Sequence, residues 1–211
     1  MDLSATLATI NAVLWNETWV LIIAGTGVLF TIWSGFSQYR SLTHGSRVVS
    51  GVYDDPSDPG AISHFQALSA ALSGTVGLGN IGGVALAITL GGPGAIFWMW
   101  IVGFLGMSIK LTEVTLSMLY RNTDDPDNPH GGPMWVAGKA LKRMNPKYAW
   151  LGTALAILYS FTVMMSSGTG GNMFQAWNVA DITNSYFGVP GWMTGVVLTL
   201  VVGTVLIGGI K

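Results

Sequence analysis

Cysteine is absent from the sequence, which excludes disulfides, thiolate metal sites and cysteine nucleophiles. Charge is scarce: Asp, Glu, Lys and Arg make up 9% of the 211 residues, against about a quarter in a soluble domain. So few charges cannot cover a water-facing surface at this length. Half of the residues are hydrophobic, mean hydropathy is +0.52, and the class is an all-α integral membrane protein. A basic surface is missing as well. The net charge of −1 leaves no electrostatic footprint for nucleic acid. The first seventeen residues, "MDLSATLATINAVLWNE", contain no Lys or Arg, so no secretory signal peptide is expected there.

What the chain does have is glycine, tryptophan and long uncharged runs. The 29 glycines suit helices that pack closely in lipid. Trp15, Trp19, Trp135, Trp150 and Trp192 fall near the ends of apolar runs, as an interfacial aromatic belt does. The runs predict transmembrane helices at 18–37, 65–90, 95–119, 149–178 and 191–210, each about long enough to cross a bilayer. The "GGPG" at 91–94 separates the second from the third. A polar loop is expected after the first span, around 40–60. A short amphipathic helix at 134–144, with Lys139, Lys142 and Arg143 as its basic set, is expected to lie on the membrane surface; a solvated loop is the alternative. Apart from Lys110 inside the third span, every Lys and Arg falls on one side of this five-span arrangement. The positive-inside rule makes that side the cytoplasm. The N-terminus is then outside, and loops 40–60 and 121–148 are cytoplasmic.

The second span contains "GTVGLGNIGG", Gly74–Gly83. Within it, Gly77–Gly82 matches the G-x-G-x-x-G pattern of dinucleotide-binding loops. The context excludes that reading. Leucines and alanines at helical spacing precede the motif, and Glu113 is the first acidic residue after it, so nothing is placed to hold a ribose. Tight helix packing through small residues accounts for Gly79 and Gly83, but not for five glycines in ten residues with Thr75 and Asn80 among them. Glycine costs about 1 kcal/mol against alanine inside a helix, so the cluster predicts an interruption near 74–83. A broken membrane helix exposes carbonyls that coordinate a cation and N–H groups that hold an anion. No Asp or Glu lies between 59 and 112. A cation bound here must therefore use neutral oxygens, and any local negative charge would have to come from a bound solute such as a carboxylate.

Residues 65–121, "FQALSAALSGTVGLGNIGGVALAITLGGPGAIFWMWIVGFLGMSIKLTEVTLSMLYR", resemble the alanine or glycine:cation symporter family, the sodium:alanine symporters. The run from 91 to 107 resembles that family's signature region. "HGGPMW" at 130–135 and "GNMFQAWN" at 171–178 resemble further family motifs. Gly103 is a small departure, where the family tends to carry a somewhat larger residue. "VGLGN", Val76–Asn80, also looks like the unwound first core helix of the leucine-transporter-like superfamily. The resemblance implies a fold of two inverted five-helix repeats. This chain would supply an extra N-terminal helix and the first four core helices, as one incomplete transmembrane domain. It implies symport of a small neutral amino acid, alanine or glycine, into the cell with sodium, or with protons in its place. It also implies no cofactor and no catalysis, and the C-terminal half of the transporter as a partner. A channel-like or scaffolding bundle, in which the glycines only pack helices, is the alternative.

The candidate substrate residues are Thr75, Gly77, Gly79, Asn80, Gln175 and Asn172, with Thr75, Gly77 and Asn80 also expected to contact the ion. Lys110 and Glu113, three positions apart on one helix face, are expected to form a structural ion pair rather than a proton relay. His64 and His130 are expected to be structural rather than metal ligands. No catalytic constellation is present.

Overall fold

The computed structural model describes residues 3–54, 63–125 and 129–208. These form α1 (Leu3–Leu14), α2 (Glu17–Trp33), α3 (Ser37–Val49), α4 (His64–Thr75), α5 (Val84–Gly91), α6 (Gly94–Leu119), α7 (Pro133–Met144), α8 (Ala149–Gly168), α9 (Phe174–Phe187) and α10 (Gly191–Gly208). Short π-helical turns, Gly79–Gly83 and Thr169–Met173, enter α5 and α9. β-Pairing among the described residues is confined to an isolated bridge between Asn122 and His130.

Four helical stretches are long and apolar enough to cross a membrane, and the bent pair α4–α5 makes up to five. Burial runs opposite to that of a water-soluble protein. Among the described residues no hydrophobic side chain is buried, whereas Thr31, Ser37, Gln38, Ser108 and Thr194 are. Apolar side chains face outward, while Thr31, Ser108 and the Gln38 amide nitrogen hydrogen-bond one another and Thr194 bonds Thr183, which suits a lipid solvent that cannot satisfy hydrogen bonds. The chain is a multi-pass helical membrane protein.

Helix limits follow from local chemistry. Asn16 starts α2 by accepting from the N–H groups of Thr18 and Trp19 at 2.9 and 3.3 Å, an N-cap. The first span was expected over 18–37, but α2 ends at Trp33. There Gly35 (φ 62°) and Phe36 (φ 56°) take left-handed conformations. The polar loop expected around 40–60 is instead helical as far as Val49. Gln38 and Ser37 of α3 are buried against α2 and α6, so tertiary polar contacts override a weakly apolar sequence; positions 55–60 lie outside the described residues. Ser63 and Gln66 form a reciprocal capping box at the start of α4. Gly92 (φ 71°) and Pro93 separate α5 from α6.

The fourth span, expected over 149–178, belongs to a helix running from Pro146 to Phe187. Its 42 residues give a length of about 60 Å at 1.5 Å per residue, roughly twice a bilayer's apolar core. Asp181 does not stop it, because no Gly or Pro follows until Gly188, which ends the helix at φ 67°. α10 covers most of the expected 191–210, whose last two positions lie outside the described residues.

α6 is the organising element, packing against α2, α3, α5 and α7. Gly27 of α2 meets it closely: a Cβ there would stand 2.8 Å from Leu105 Cβ. α7 occupies the stretch expected to be amphipathic, and it packs on α8. A Cβ at Gly152 would stand 2.6 Å from the Ala137 carbonyl. Lys139 of α7 reaches the Arg121 carbonyl at 3.1 Å and lies 5.0 Å from the Trp135 ring centroid, tying α7 to the end of α6.

Candidate substrate and ion site

α4 and the helical stretch Gly79–Gly91 meet at 56°. The break occupies Val76–Leu78, inside the interruption expected near 74–83, with Val76 extended (φ −87°, ψ 110°). The Thr75 hydroxyl donates to the Ala71 carbonyl at 2.7 Å and the Val76 N–H donates to Leu72 at 2.8 Å, finishing α4. Beyond the helix ladders, no hydrogen bond among the described residues reaches the carbonyls of Gly74, Thr75 or Val76. These are the acceptors a helix C-terminus leaves open, at its negative end.

On the other side of the break, Asn80 closes a reciprocal turn. Its Oδ1 accepts from the Gly77 N–H at 2.8 Å, and its own N–H donates to the Gly77 carbonyl at 3.0 Å. The Gly79 N–H donates to Oε1 of Gln175 at 3.2 Å. Gln175 comes from α9, just after its π turn. Such turns recur at functional sites because they re-aim side chains. The glycines make this approach possible: a Cβ at Gly77 or Gly79 would stand 3.3 Å from the Gln175 amide, which is the close backbone approach glycine permits.

Gly77, Gly79, Asn80 and Gln175 therefore meet at the break. Thr75 sits at the edge of the break, with its hydroxyl proton committed to Ala71 and its oxygen able to accept or coordinate. Asn172 is not among the hydrogen-bonding groups at the break; with Gln175 it lines a cavity of about 550 Å³ between α9 and α10, floored by Gly195, Thr199 and Gly203. Phe174 and Trp177 flank Gln175, their rings stacked at 6.3 Å.

Two features lay outside the sequence reading. Asn178 reaches the same helix, because a Cβ at Gly82 would stand 3.3 Å from its Oδ1. Its spacing from Gln175, one helical turn, was the available signal. The second is a buried relay at the α2–α3–α6 junction. Gln38 Nε2 donates to Thr31 Oγ1 at 2.8 Å, Thr31 Oγ1 donates to Ser108 Oγ at 3.1 Å, and Ser108 Oγ reaches the Leu105 carbonyl at 2.8 Å. No local pattern in the sequence marks it.

Lys110 Nζ lies 3.0 Å from Glu113 Oε2, with both side chains more than a third exposed. His64 pairs with Asp54, and His130 joins the backbone bridge to Asn122. Among the described residues no group of three or more His, Asp or Glu is placed to hold a metal ion.

A family profile described as the sodium:alanine symporter family matches residues 1–211. The sodium/alanine symporter AgcS of Methanococcus maripaludis is 40% identical over 211 residues, covering 100% of this chain and 46% of that protein. A putative sodium/proton-dependent alanine carrier protein, YrbD of Bacillus subtilis, is 36% identical over 97% of this chain and 40% of its own length. A probable sodium/glutamine symporter, GlnT of Bacillus subtilis, is 34% identical over 95% of this chain and 40% of its own length. The chain spans less than half the length of these relatives.

Proposed function

The chain belongs to the sodium:alanine symporter family, and from that premise we propose that it forms the N-terminal half of a secondary transporter. The family's members are transporters, not enzymes. The proposed cargo is a small neutral amino acid, alanine or glycine, carried into the cell across the cell membrane with sodium. The proposed architecture is leucine-transporter-like, with α4–α5 as the first core helix of an inverted-repeat fold, α1–α2 as an extra N-terminal helix, and the C-terminal half completing the domain. The proposed orientation, from the distribution of basic residues and the positive-inside rule, has the N-terminus outside and segments 40–60 and 121–148 in the cytoplasm.

The observation that carries this reading is the break at Val76–Leu78, with Gly77, Gly79, Asn80 and Gln175 converging on it. Helix breaks at mid-membrane serve ions and polar solutes, since lipid tolerates irregular backbone only where it lines a cavity. The open carbonyls of Gly74–Val76 and the Thr75 hydroxyl offer a sodium ion neutral oxygens. The N–H groups of Gly77 and Gly79 offer a carboxylate hydrogen bonds at the positive end of the second half-helix. Each ligand then improves the site for the other, which is coupling in the thermodynamic sense.

The test is uptake of labelled alanine by the full-length protein in proteoliposomes under an inward sodium gradient. Uptake that depends on sodium and falls at least about tenfold in Asn80→Ala, the scale of about 1.4 kcal/mol of lost interaction, supports the proposal. Uptake indifferent to both sodium and pH refutes the coupling.

A further inference from the structure

The amide of Gln175 lies flat against two glycines at once. Its Oε1 accepts from the Gly79 N–H. A Cβ at Gly77 would stand 3.3 Å from Oε1, 3.5 Å from Cδ and 3.6 Å from Nε2, and a Cβ at Gly79 would stand 3.3 Å from Nε2. Asn80 Oδ1 holds the neighbouring donor, the Gly77 N–H. The N–H groups of Gly77 in the break and Gly79 at the start of the second half-helix are thus both taken by side-chain carboxamide oxygens, one local and one from α9.

A carboxamide has the planar, three-heavy-atom outline of a carboxylate but no charge. An ionised acceptor bonds N–H donors about twice as strongly as a neutral one. Gln175 also has somewhere to go, because it lines the cavity of about 550 Å³ between α9 and α10. Its long, unbranched side chain can rotate from one location to the other.

Resting on the reading of the break as the substrate site, we propose that Gln175 is the resting occupant of a carboxylate seat. Its amide stands in for the substrate's carboxylate over Gly77 and Gly79, and is displaced toward the α9–α10 cavity when a carboxylate arrives. The stand-in keeps the part-buried Gly79 N–H satisfied when the site is empty, a donor that costs free energy when left unpaired. It also acts as a specificity device. A ligand without a carboxylate competes with an amide already in place, whereas a carboxylate outbids it through its charge. Apparent affinity is lowered by the fraction of time the seat is occupied, a penalty that removing the occupant relieves.

The experiment is sodium-driven uptake of labelled alanine by the reconstituted full-length transporter, comparing wild type, Gln175→Leu and Gln175→Glu. Gln175→Leu empties the seat, and KM is expected to fall about threefold to tenfold, the size of one net hydrogen bond. Gln175→Glu tethers a carboxylate in the seat. Its uptake is expected to fall at least about tenfold at neutral pH and to recover, relative to wild type, as the pH is lowered and the carboxyl protonates. A merely structural glutamine would not give opposite effects with a pH-reversible arm. A KM for Gln175→Leu that is unchanged or raised, or a Gln175→Glu that transports like wild type, overturns the proposal. If the Leu variant fails to assemble, Gln175→Asn, one methylene too short to reach Gly79, takes its place with the same expected fall in KM. Asn80→Ala measured in parallel separates the two readings. If it transports like wild type, the break is not the site; if only the Gln175 variants depart from expectation, the break stands and the stand-in falls.

Discussion

The N–H of Gly79 donates to Oε1 of Gln175 at 3.2 Å, joining residues 96 positions apart. The bond ties the broken helix to α9 where both helices leave regular α geometry. Gly79 opens the π turn Gly79–Gly83, and Gln175 follows the π turn Thr169–Met173. Together they bring a backbone donor and a side-chain amide to one point.

The glycines of the break divide into two groups by what a methyl group would meet. At Gly77 and Gly79 it would press on the Gln175 amide at 3.3 Å, while at Gly74 and Gly83 it would meet nothing within 4 Å. The proposed carboxylate seat occupies that same space, so Gly77→Ala and Gly79→Ala, which crowd the incoming carboxylate as well as the amide, are predicted to lower kcat/KM for alanine uptake about tenfold or more. Gly74→Ala and Gly83→Ala are predicted to stay within about twofold, helped by alanine's better helix propensity. Uptake kinetics of the four variants check this, and equal losses in all four would contradict it.

The relay from Gln38 through Thr31 to Ser108 is the most deeply buried polar feature among the described residues. Thr31→Val removes its middle hydroxyl while keeping the shape. The predicted cost is about 0.6–2 kcal/mol, the range for interhelical hydrogen bonds in membranes. The measurement is thermal unfolding of the purified full-length protein, where the melting temperature should drop with the uptake KM unchanged. A shifted KM at constant melting temperature would instead assign the relay to transport.

Gly152 and Gly27 allow close approach of α7 to α8 and of α2 to α6. Gly152→Ala places a methyl 2.6 Å from the Ala137 carbonyl, and Gly27→Ala places one 2.8 Å from Leu105 Cβ. Each must shift a helix, at a predicted cost of about 1–3 kcal/mol. Gly138→Ala, with open space at its own Cβ position, is the matched control. Melting temperatures of the three variants test the prediction.

Much of this was legible in the sequence, and the reasons for the rest are specific. Five glycines around Thr75 and Asn80 located the helix break, because glycine's helix cost is local and additive enough to read. Gln175 was readable as a polar group in an apolar run, but not its bond to Gly79, which depends on how α9 docks. α3 was read as a loop because "SQYRSLTHGSRVV" has little apolar character, and its helicity is fixed by Gln38 and Ser37 packing against α2 and α6. The extension of α9 through Asp181 goes beyond the expected limit at 178, because nothing there breaks a helix before Gly188.

Lys110 and Glu113 sit within one turn of α6 and pair at 3.0 Å while remaining well exposed. If their role is structural, coupling does not depend on them. The double substitution Lys110→Gln with Glu113→Gln is predicted to keep sodium-driven uptake within about threefold of wild type. A loss of ion dependence in that variant would make the pair part of the coupling path.

The central claim is that one helix break binds the cation and the amino acid together. Equilibrium binding of labelled alanine to the purified full-length protein, titrated with sodium, tests it most directly. The account predicts that saturating sodium tightens alanine binding at least about fivefold, a coupling of about 1 kcal/mol, and that Asn80→Ala abolishes the enhancement. Alanine affinity independent of sodium in the wild type, or an undiminished enhancement in Asn80→Ala, would contradict it.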